Sequence, residues 1–347
     1  MILSIIFFLN PTGKMERGII LKFCRKKGLW LRLGLLAAGM FVIGLLAGCT
    51  SQFVTPYDLN NLCFDYQMVS DSDNGSYIII TKHLVSQSDV NIPDEISGVP
   101  VRGIAPSVFA EEEMLHSVTF GSEMKSIGAN AFGNCPALTS VTFSVSASDM
   151  CIGEYAFTNC TALTAVEIPA GVTSVGRGAF YGCKALKDIT VADTLSDIGG
   201  RAFAGTPWLK SAAKKDKFVT VGDGVLIAYT DDKVDVKIPG GVKHISGAFA
   251  GNTTVKNIKL HKKVRSIGDM AFKGCEALET VTIPDGLQSV GSDAFYGCTN
   301  LKWVILKDKV TSIGENAFTY CGAAIYVNQG SAAEAYCIKH QIAYCIM

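Results

Sequence analysis

Apolar and polar positions recur along this chain at a fixed interval. Ala-Phe pairs place phenylalanine at 132, 157, 180, 203, 249, 272, 295 and 318, in steps of 25, 23, 23, 46, 23, 23 and 23, so the long step spans two periods. Phe109, preceded by Val108, is a degenerate member 23 residues before Phe132. A second pattern runs between the pairs, as in Cys275-Glu276-Ala277-Leu278-Glu279-Thr280-Val281-Thr282-Ile283-Pro284. Alternation of Val281, Thr282 and Ile283 predicts a short strand with Val and Ile inward and Thr outward. Pro284 lacks an N–H donor and ends the strand, and Asp285-Gly286 turns the chain. Val290-Gly291 opens the return path, where Ala294 allows close packing and Phe295 fills the interior. One such unit cannot bury its own apolar face, so units must stack into a nearly one-dimensional solenoid. About ten turns at a strand spacing of about 4.8 Å would span roughly 50 Å.

The Leu-x-x-Val-x-Ile core has its apolar residues at the offsets of the leucine-rich repeat. The fuller pattern, Ile-Gly-x-x-Ala-Phe-x-x-Cys-x-x-Leu-x-x-Val-x-Ile-Pro, resembles the BspA-like, treponemal-type leucine-rich-repeat family over about residues 60–346. The expected fold is therefore a β-rich, right-handed leucine-rich-repeat solenoid with ~23-residue repeats and terminal caps. The resemblance implies a secreted or surface protein of bacteria that adheres to or binds host or partner molecules. It implies no catalytic residues and no cofactor.

The ends and one interruption depart from the period. Residues 61–103 alternate apolar and polar, as in Tyr77-Ile78-Ile79-Ile80-Thr81, and read as a β-rich amino-terminal cap. The solenoid is expected over 104–330. Within it, residues 206–238 replace one repeat with Thr206-Pro207-Trp208-Leu209, a Lys-rich stretch, and two strand-like runs, Phe218–Val221 and Val225–Tyr229. Gly222-Asp223-Gly224 between those runs predicts a hairpin. Residues 331–347 read as a carboxyl-terminal cap, with a helix over Ser331–His340, Ser331 as its N-cap, and a last strand at Ile342–Ile346.

Charge changes the picture at the amino terminus. The chain is formally neutral, but its first 48 residues hold seven bases (Lys14, Arg17, Lys22, Arg25, Lys26, Lys27, Arg32) and one acid, Glu16. The remainder carries 24 bases against 30 acids, a balance with no overall pull towards nucleic acid. The basic stretch Lys22 to Arg32 precedes the apolar run Leu33–Ala47, as the n- and h-regions of a secretory signal do. That run is short for a membrane span of about 20 residues. It ends in Leu46-Ala47-Gly48-Cys49, which resembles the lipobox of bacterial lipoproteins. Residues 1–48 are thus read as a signal peptide whose translation start is expected at Met15, since 1–14 fit no part of a signal. Cys49 is read as the lipid-attachment site, residues 49–60 as the lipidated tether, and the location as the outer face of a cell membrane.

Candidate chemistry is sparse. Of twelve cysteines, six (Cys135, Cys160, Cys183, Cys275, Cys298, Cys321) stand three residues after a repeat Phe and are expected to form a buried, reduced ladder. With no Cys-x-x-Cys pair, zinc is not expected. Cys63, Cys151, Cys337 and Cys345 stand apart, and a Cys337–Cys345 bridge stays open. Asp71-Ser72-Asp73-Asn74-Gly75 hints at a calcium loop, but its glycine is one position early and Lys82 stands where a bidentate Glu belongs, so a hairpin turn is the better reading. The five histidines are scattered through different units, and no sequence motif pairs a nucleophile with its base.

The concave strand face remains as a binding surface. Its outward positions run Thr119, Thr142, Glu167, Thr190, Lys259, Thr282 and Ile305, and two residues earlier Ser117, Ser140, Ala165, Asp188, Asn257, Thr280 and Trp303. Trp303 and Ile305 stand out among ordinary solvated Ser and Thr, because exposed aromatics anchor interfaces. Residues 210–265 hold twelve bases against five acids, which suits an acidic partner such as a glycan, a wall polymer or a lipid headgroup. The candidate ligand-binding residues are accordingly Trp303, Ile305, Lys259, Asn257 and Lys262. The expected function is non-catalytic recognition of an extracellular protein or glycan. The alternatives are a passive envelope scaffold or spacer, and an enzyme hidden in the insertion.

Overall fold

A computed structural model of the protein describes residues 3–9, 15–21, 63–71, 75–144 and 149–347. The apolar run Leu33–Ala47, Cys49, the 49–60 tether and the turn at 72–74 lie outside them. The chain divides into two compact units, residues 1–63 and 64–347. In the first, Leu3–Leu9 pairs antiparallel with Met15–Leu21.

The second unit is a leucine-rich-repeat solenoid of about 12 turns, spaced by about 23 residues. Two lines of parallel strands run its length. One is built from the Val-x-Ile segments: Ser117–Phe120 lies in register on Ser140–Phe143, Ala165–Ile168 on Asp188–Val191, and Asn257–Lys259 on Thr280–Thr282. Outward residues therefore stack in columns, Thr119 beside Thr142 and Lys259 beside Thr282. The other line is built from two-residue strands ahead of the Ile/Val-Gly pair, such as Ser266-Ile267, Ser289-Val290 and Ser312-Ile313. Sequence reading took this second line only as a return path. The corner between the two is a turn closed across the proline, with Leu287 N donating to Pro284 O at 3.1 Å.

The third side carries the Ala-Phe pairs, and its backbone is more ordered than a loop. In each turn the residues two before and two after the Phe have positive φ: Asp293 and Gly297 around Phe295, Met270 and Gly274 around Phe272. The N–H groups of Asp293, Phe295 and Gly297 donate to the Glu315, Ala317 and Thr319 carbonyls of the next turn, at 2.8–3.0 Å. The intervening carbonyls of Ser292, Ala294 and Tyr296 accept from Met270, Phe272 and Gly274. This alternation satisfies the backbone without a regular strand.

Inside, the phenylalanines form stacked rings. Centroid separations run from 4.7 Å for Phe109–Phe132 to 5.8 Å for Phe180–Phe203, and from 5.2 to 5.4 Å along Phe249–Phe272–Phe295–Phe318. Both ends are covered. His83 lies 4.7 Å from Phe109 and holds Glu112 through Nδ1 at 3.1 Å. Tyr336 lies edge-on to Phe318, and its hydroxyl accepts the Ala317 N–H at 3.1 Å. Tyr336 sits on helix Ala332–Lys339, capped by Ser331 Oγ, and strand Tyr344–Ile346 closes the stack against Ile325–Val327. Solenoid pairing begins within the amino-terminal segment, where Ile78–Ile80 already pairs parallel with Val101–Ile104. The hairpin before it pairs Phe64–Asp71 with Gly75–His83.

The insertion divides the Phe stack. Thr206 caps a helix, Pro207–Lys215, that the Lys-rich composition did not predict. Trp208 on it packs edge-on against Phe203 at 5.5 Å and ends the first ladder. The hairpin of Phe218–Val221 and Val225–Tyr229 follows, and Tyr229, 4.8 Å from Phe249, begins the second. Val225–Leu226 pairs parallel with His244–Ile245, so regular stacking resumes at 225. A core cluster runs from Leu226 to Cys337 without any residue of the first half. The halves are tied by Asp223 N donating to Leu195 O at 2.8 Å and by Asp293, which holds Arg177 at 3.3 Å and Lys273 at 3.0 Å.

Candidate functional site

The hairpin folds back over the Val-x-Ile strand line where that line resumes after the insertion, at Asp235–Lys237, and makes a groove of about 340 Å³ there. Val236 and Ile258 face inward from Asp235–Lys237 and Asn257–Lys259 and, with Phe218 and Tyr229, give it an apolar floor. The two rings pack at 4.9 Å. Outward residues of three successive turns form its polar wall. Asn257 Nδ2 donates to Asp235 Oδ1 at 2.7 Å, and Thr280 Oγ1 donates to Asn257 Oδ1 at 2.6 Å.

Its electrostatics are uneven. Lys217 and Lys233 both lie against Asp231, at 2.9 and 3.8 Å, and the hydrogen bond from Lys217 holds that carboxyl below its usual range. Lys237 and Lys259 line the groove with no carboxylate partner among the described residues. The Tyr229 hydroxyl is buried and donates to no acceptor among the described residues, while the Lys233 backbone N–H is directed at its oxygen. Burial, then the charges of Asp231 and Asp232, push its phenol upward, so it stays a neutral donor. A ligand offering an acidic or acceptor group over an apolar body would meet two free ammonium groups and this hydroxyl.

The structure brings together two of the five sequence-selected residues, Asn257 and Lys259. Trp303 and Ile305 occupy the same face two periods further on, 44% and 38% exposed, with Tyr326 in register beside Ile305. Lys262 does not line the groove. It lies in the corner turn, where its carbonyl accepts from Arg265 Nη1 at 2.7 Å. Phe218, Tyr229, Asp235, Lys237, Thr280 and Thr282 were not singled out. The aromatic residues of the hairpin runs were the available signal, but their packing partner is distant in sequence. The local positive excess is partly neutralised, since Lys243 pairs with Asp223 and Lys256 with Glu279.

Other chemistry is limited. The described cysteines are free thiols, with Cys337 buried and Cys345 exposed. Among the described residues no group of three His, Cys, Asp or Glu side chains is placed to hold a metal ion. His244 Nδ1 lies 2.8 Å from Ser266 Oγ, but the pair belongs to the short-strand columns and lines neither this groove nor the cleft beside Phe203. No helix of the described residues is long and apolar enough to cross a membrane.

Among curated proteins, none matches this sequence. Solved structures to which it is similar include a leucine-rich-repeat protein of T. pallidum (22% identity, 69% of this chain and 88% of that one, TM-score 0.40). A leucine-rich cell surface protein of Faecalibacterium prausnitzii aligns at 24% identity, over 78% of this chain and 95% of that one, with a TM-score of 0.31. The pneumococcal vaccine antigen PcpA aligns at 20% identity, over 77% and 81%, with a TM-score of 0.35. The sequence profile of the BspA type leucine-rich-repeat region matches with six copies, over residues 102–231 and 228–335. Matched over more than half its length, through the repeats that build this solenoid, the chain belongs to the BspA-type leucine-rich-repeat family.

Proposed function

We propose that this protein is a lipid-anchored, non-catalytic recognition protein of the bacterial cell surface, which binds an extracellular protein or glycan on its strand face. The observation that carries the reading is the groove beside the hairpin. There, among the described residues, Lys237 and Lys259 have no carboxylate partner and the Tyr229 hydroxyl has no acceptor, over an apolar floor. Along the same face, exposed Trp303, Ile305 and Tyr326 extend the contact surface with the aromatic character of interface anchors. The cell-surface description of the F. prausnitzii protein supports an external location, and the signal-like residues 22–49 support export and anchoring through Cys49.

The test is binding of purified residues 50–347 to a panel of glycans, wall polymers and extracellular-matrix proteins. Near-physiological salt screens weak charge attraction. Two variants separate the parts of the surface, Lys237→Ala with Lys259→Ala in the groove, and Trp303→Ala beyond it. Saturable binding that weakens roughly ten-fold or more in the groove variant, the loss of a charged hydrogen bond, is the expected result. Equal binding by both variants and the parent chain would remove the groove from the function.

A further inference from the structure

The division of the solenoid leaves a second cavity, a cleft of about 480 Å³ on the Ala-Phe side, between the last turn of the first half and the first turns of the second. It lies apart from the strand-face groove and shares none of its lining residues. Three observations point to a ligand.

The first is a broken hydrogen-bond ladder. In the turn before the break, Gly178, Phe180 and Gly182 donate their N–H groups to Gly200, Ala202 and Ala204 of the next turn. The equivalent donors of that next turn are Arg201, Phe203 and Gly205, and they make no such bond. Their natural acceptors would be Ser246, Ala248 and Ala250, but Ala248 O is already taken by Tyr229 N at 3.0 Å. Of these three, Arg201 and Phe203 line the cleft, so two backbone donors are left there without a backbone acceptor, and adjacent free N–H groups of this kind receive anions. The second is Ser246, which is 3% exposed, lines the cleft and has no partner for its hydroxyl. A buried hydroxyl without a partner costs free energy that a bound acceptor would recover. The third is charge. Arg201 lies at the cleft over the Tyr181 ring, 4.9 Å from its centroid, and its guanidinium has no carboxylate partner among the described residues. Lys273, the other cation, is engaged by Asp293. Neither Asp269 nor Asp293 lines the cleft. The rest of the wall is apolar, including Phe203, Leu209, Ile227 and Met270.

We propose that this cleft binds a small organic monocarboxylate, its apolar body against the Phe203–Ile227 wall and its carboxylate on the Arg201 guanidinium, the free N–H groups and the Ser246 hydroxyl. The volume suits a ligand of that size. The site is independent of recognition at the strand face.

The test is calorimetric titration of the full chain with 3-phenylpropionate, against 3-phenylpropanol, which keeps the body and removes the charge. A short peptide ending in a free phenylalanine carboxylate forms a third arm. Saturable binding of the acid, roughly ten-fold or more tighter than the alcohol, is expected from one charge-assisted contact. Arg201→Gln, at an exposed side chain, should weaken it to a similar degree. Ala250→Trp, at the exposed rim, should abolish it by obstruction, and Lys259→Ala in the strand-face groove should leave it unchanged. Thermal unfolding of each variant confirms that it is folded. The proposal is overturned by no saturable uptake of the acid, by equal binding of acid and alcohol, or by binding indifferent to both cleft variants. Binding of the peptide alone would overturn the small-molecule assignment.

Discussion

Gly297 and Gly291 meet two different constraints with the same residue type. Gly297 has φ +72°, and a Cβ there would find its nearest neighbour, Gly274 Cα, at 3.7 Å, so only backbone conformation demands glycine. Gly291 has no such φ, but a Cβ would lie 2.5 Å from Asp269 N and Gly268 C in the preceding turn. Gly297→Ala should therefore cost about 1–2 kcal/mol, and Gly291→Ala should cost more, because two turns must separate. Urea midpoints of the two variants check the order, and equal costs would contradict it. The ladder cysteines also do more than fill space. The thiols of Cys183, Cys275 and Cys298 donate to the carbonyls of Phe157, Phe249 and Phe272 at 2.9–3.1 Å. Burial pushes the Cys183 and Cys275 thiols up to about 12, from 9.0 for a free thiol. The folded state keeps protons that the unfolded state releases, so this stability is full below pH 9 and is lost as pH rises from 9 towards 12. Urea titrations across that window should show the loss, and Cys183→Ala with Cys275→Ala should lessen it without abolishing it, because burial raises the Cys298, Cys321 and Cys337 thiols as well.

At the scale of elements, the Phe ladder is two ladders. Phe203 is closed by Trp208 and Phe249 is met by Tyr229, so packing does not pass from ring to ring across the insertion. Phe272→Ala, in a fully buried ring position, should cost about 3–5 kcal/mol. In a stacked array such a loss falls on the neighbouring turns. Amide exchange should therefore quicken across residues 239–335 while residues 109–204 keep their protection; uniform quickening would show that the halves unfold as one. The Pro207–Lys215 helix illustrates a limit of pattern reading. It has no buried residue, so no apolar period announced it, although its Thr-Pro start was a legible cap. The Tyr344–Ile346 strand and the Ser331 cap were legible because each follows local rules that hold wherever the segment packs.

At the scale of the whole molecule, the proposed anchor makes the remaining prediction. Cys49→Ser should leave an unprocessed precursor that takes up no fatty-acid label, because the acylated sulfur is the only attachment the reading allows. Normal labelling of that variant would sink the lipoprotein proposal. One acyl chain alone holds a protein only marginally, whereas the diacylglycerol on the sulfur would bring two, and an acylated amino terminus a third.

The sequence alone determined the repeat, the inward and outward columns of the strand face and five buried positions of the cysteine ladder, the sixth, Cys321, being only half-buried in the last turn. Each follows from a short pattern that every turn repeats, and stacking like on like carries a local preference unchanged along the axis. Only the tertiary structure decided where the repeat fails to continue. The 206–238 segment has no period, and its contacts are set by packing against turns distant in sequence. That packing put Phe218 and Tyr229 beside Asn257 and Lys259, left Lys262 in a corner turn, and parted Arg201, Phe203 and Gly205 from the carbonyls that complete every neighbouring turn.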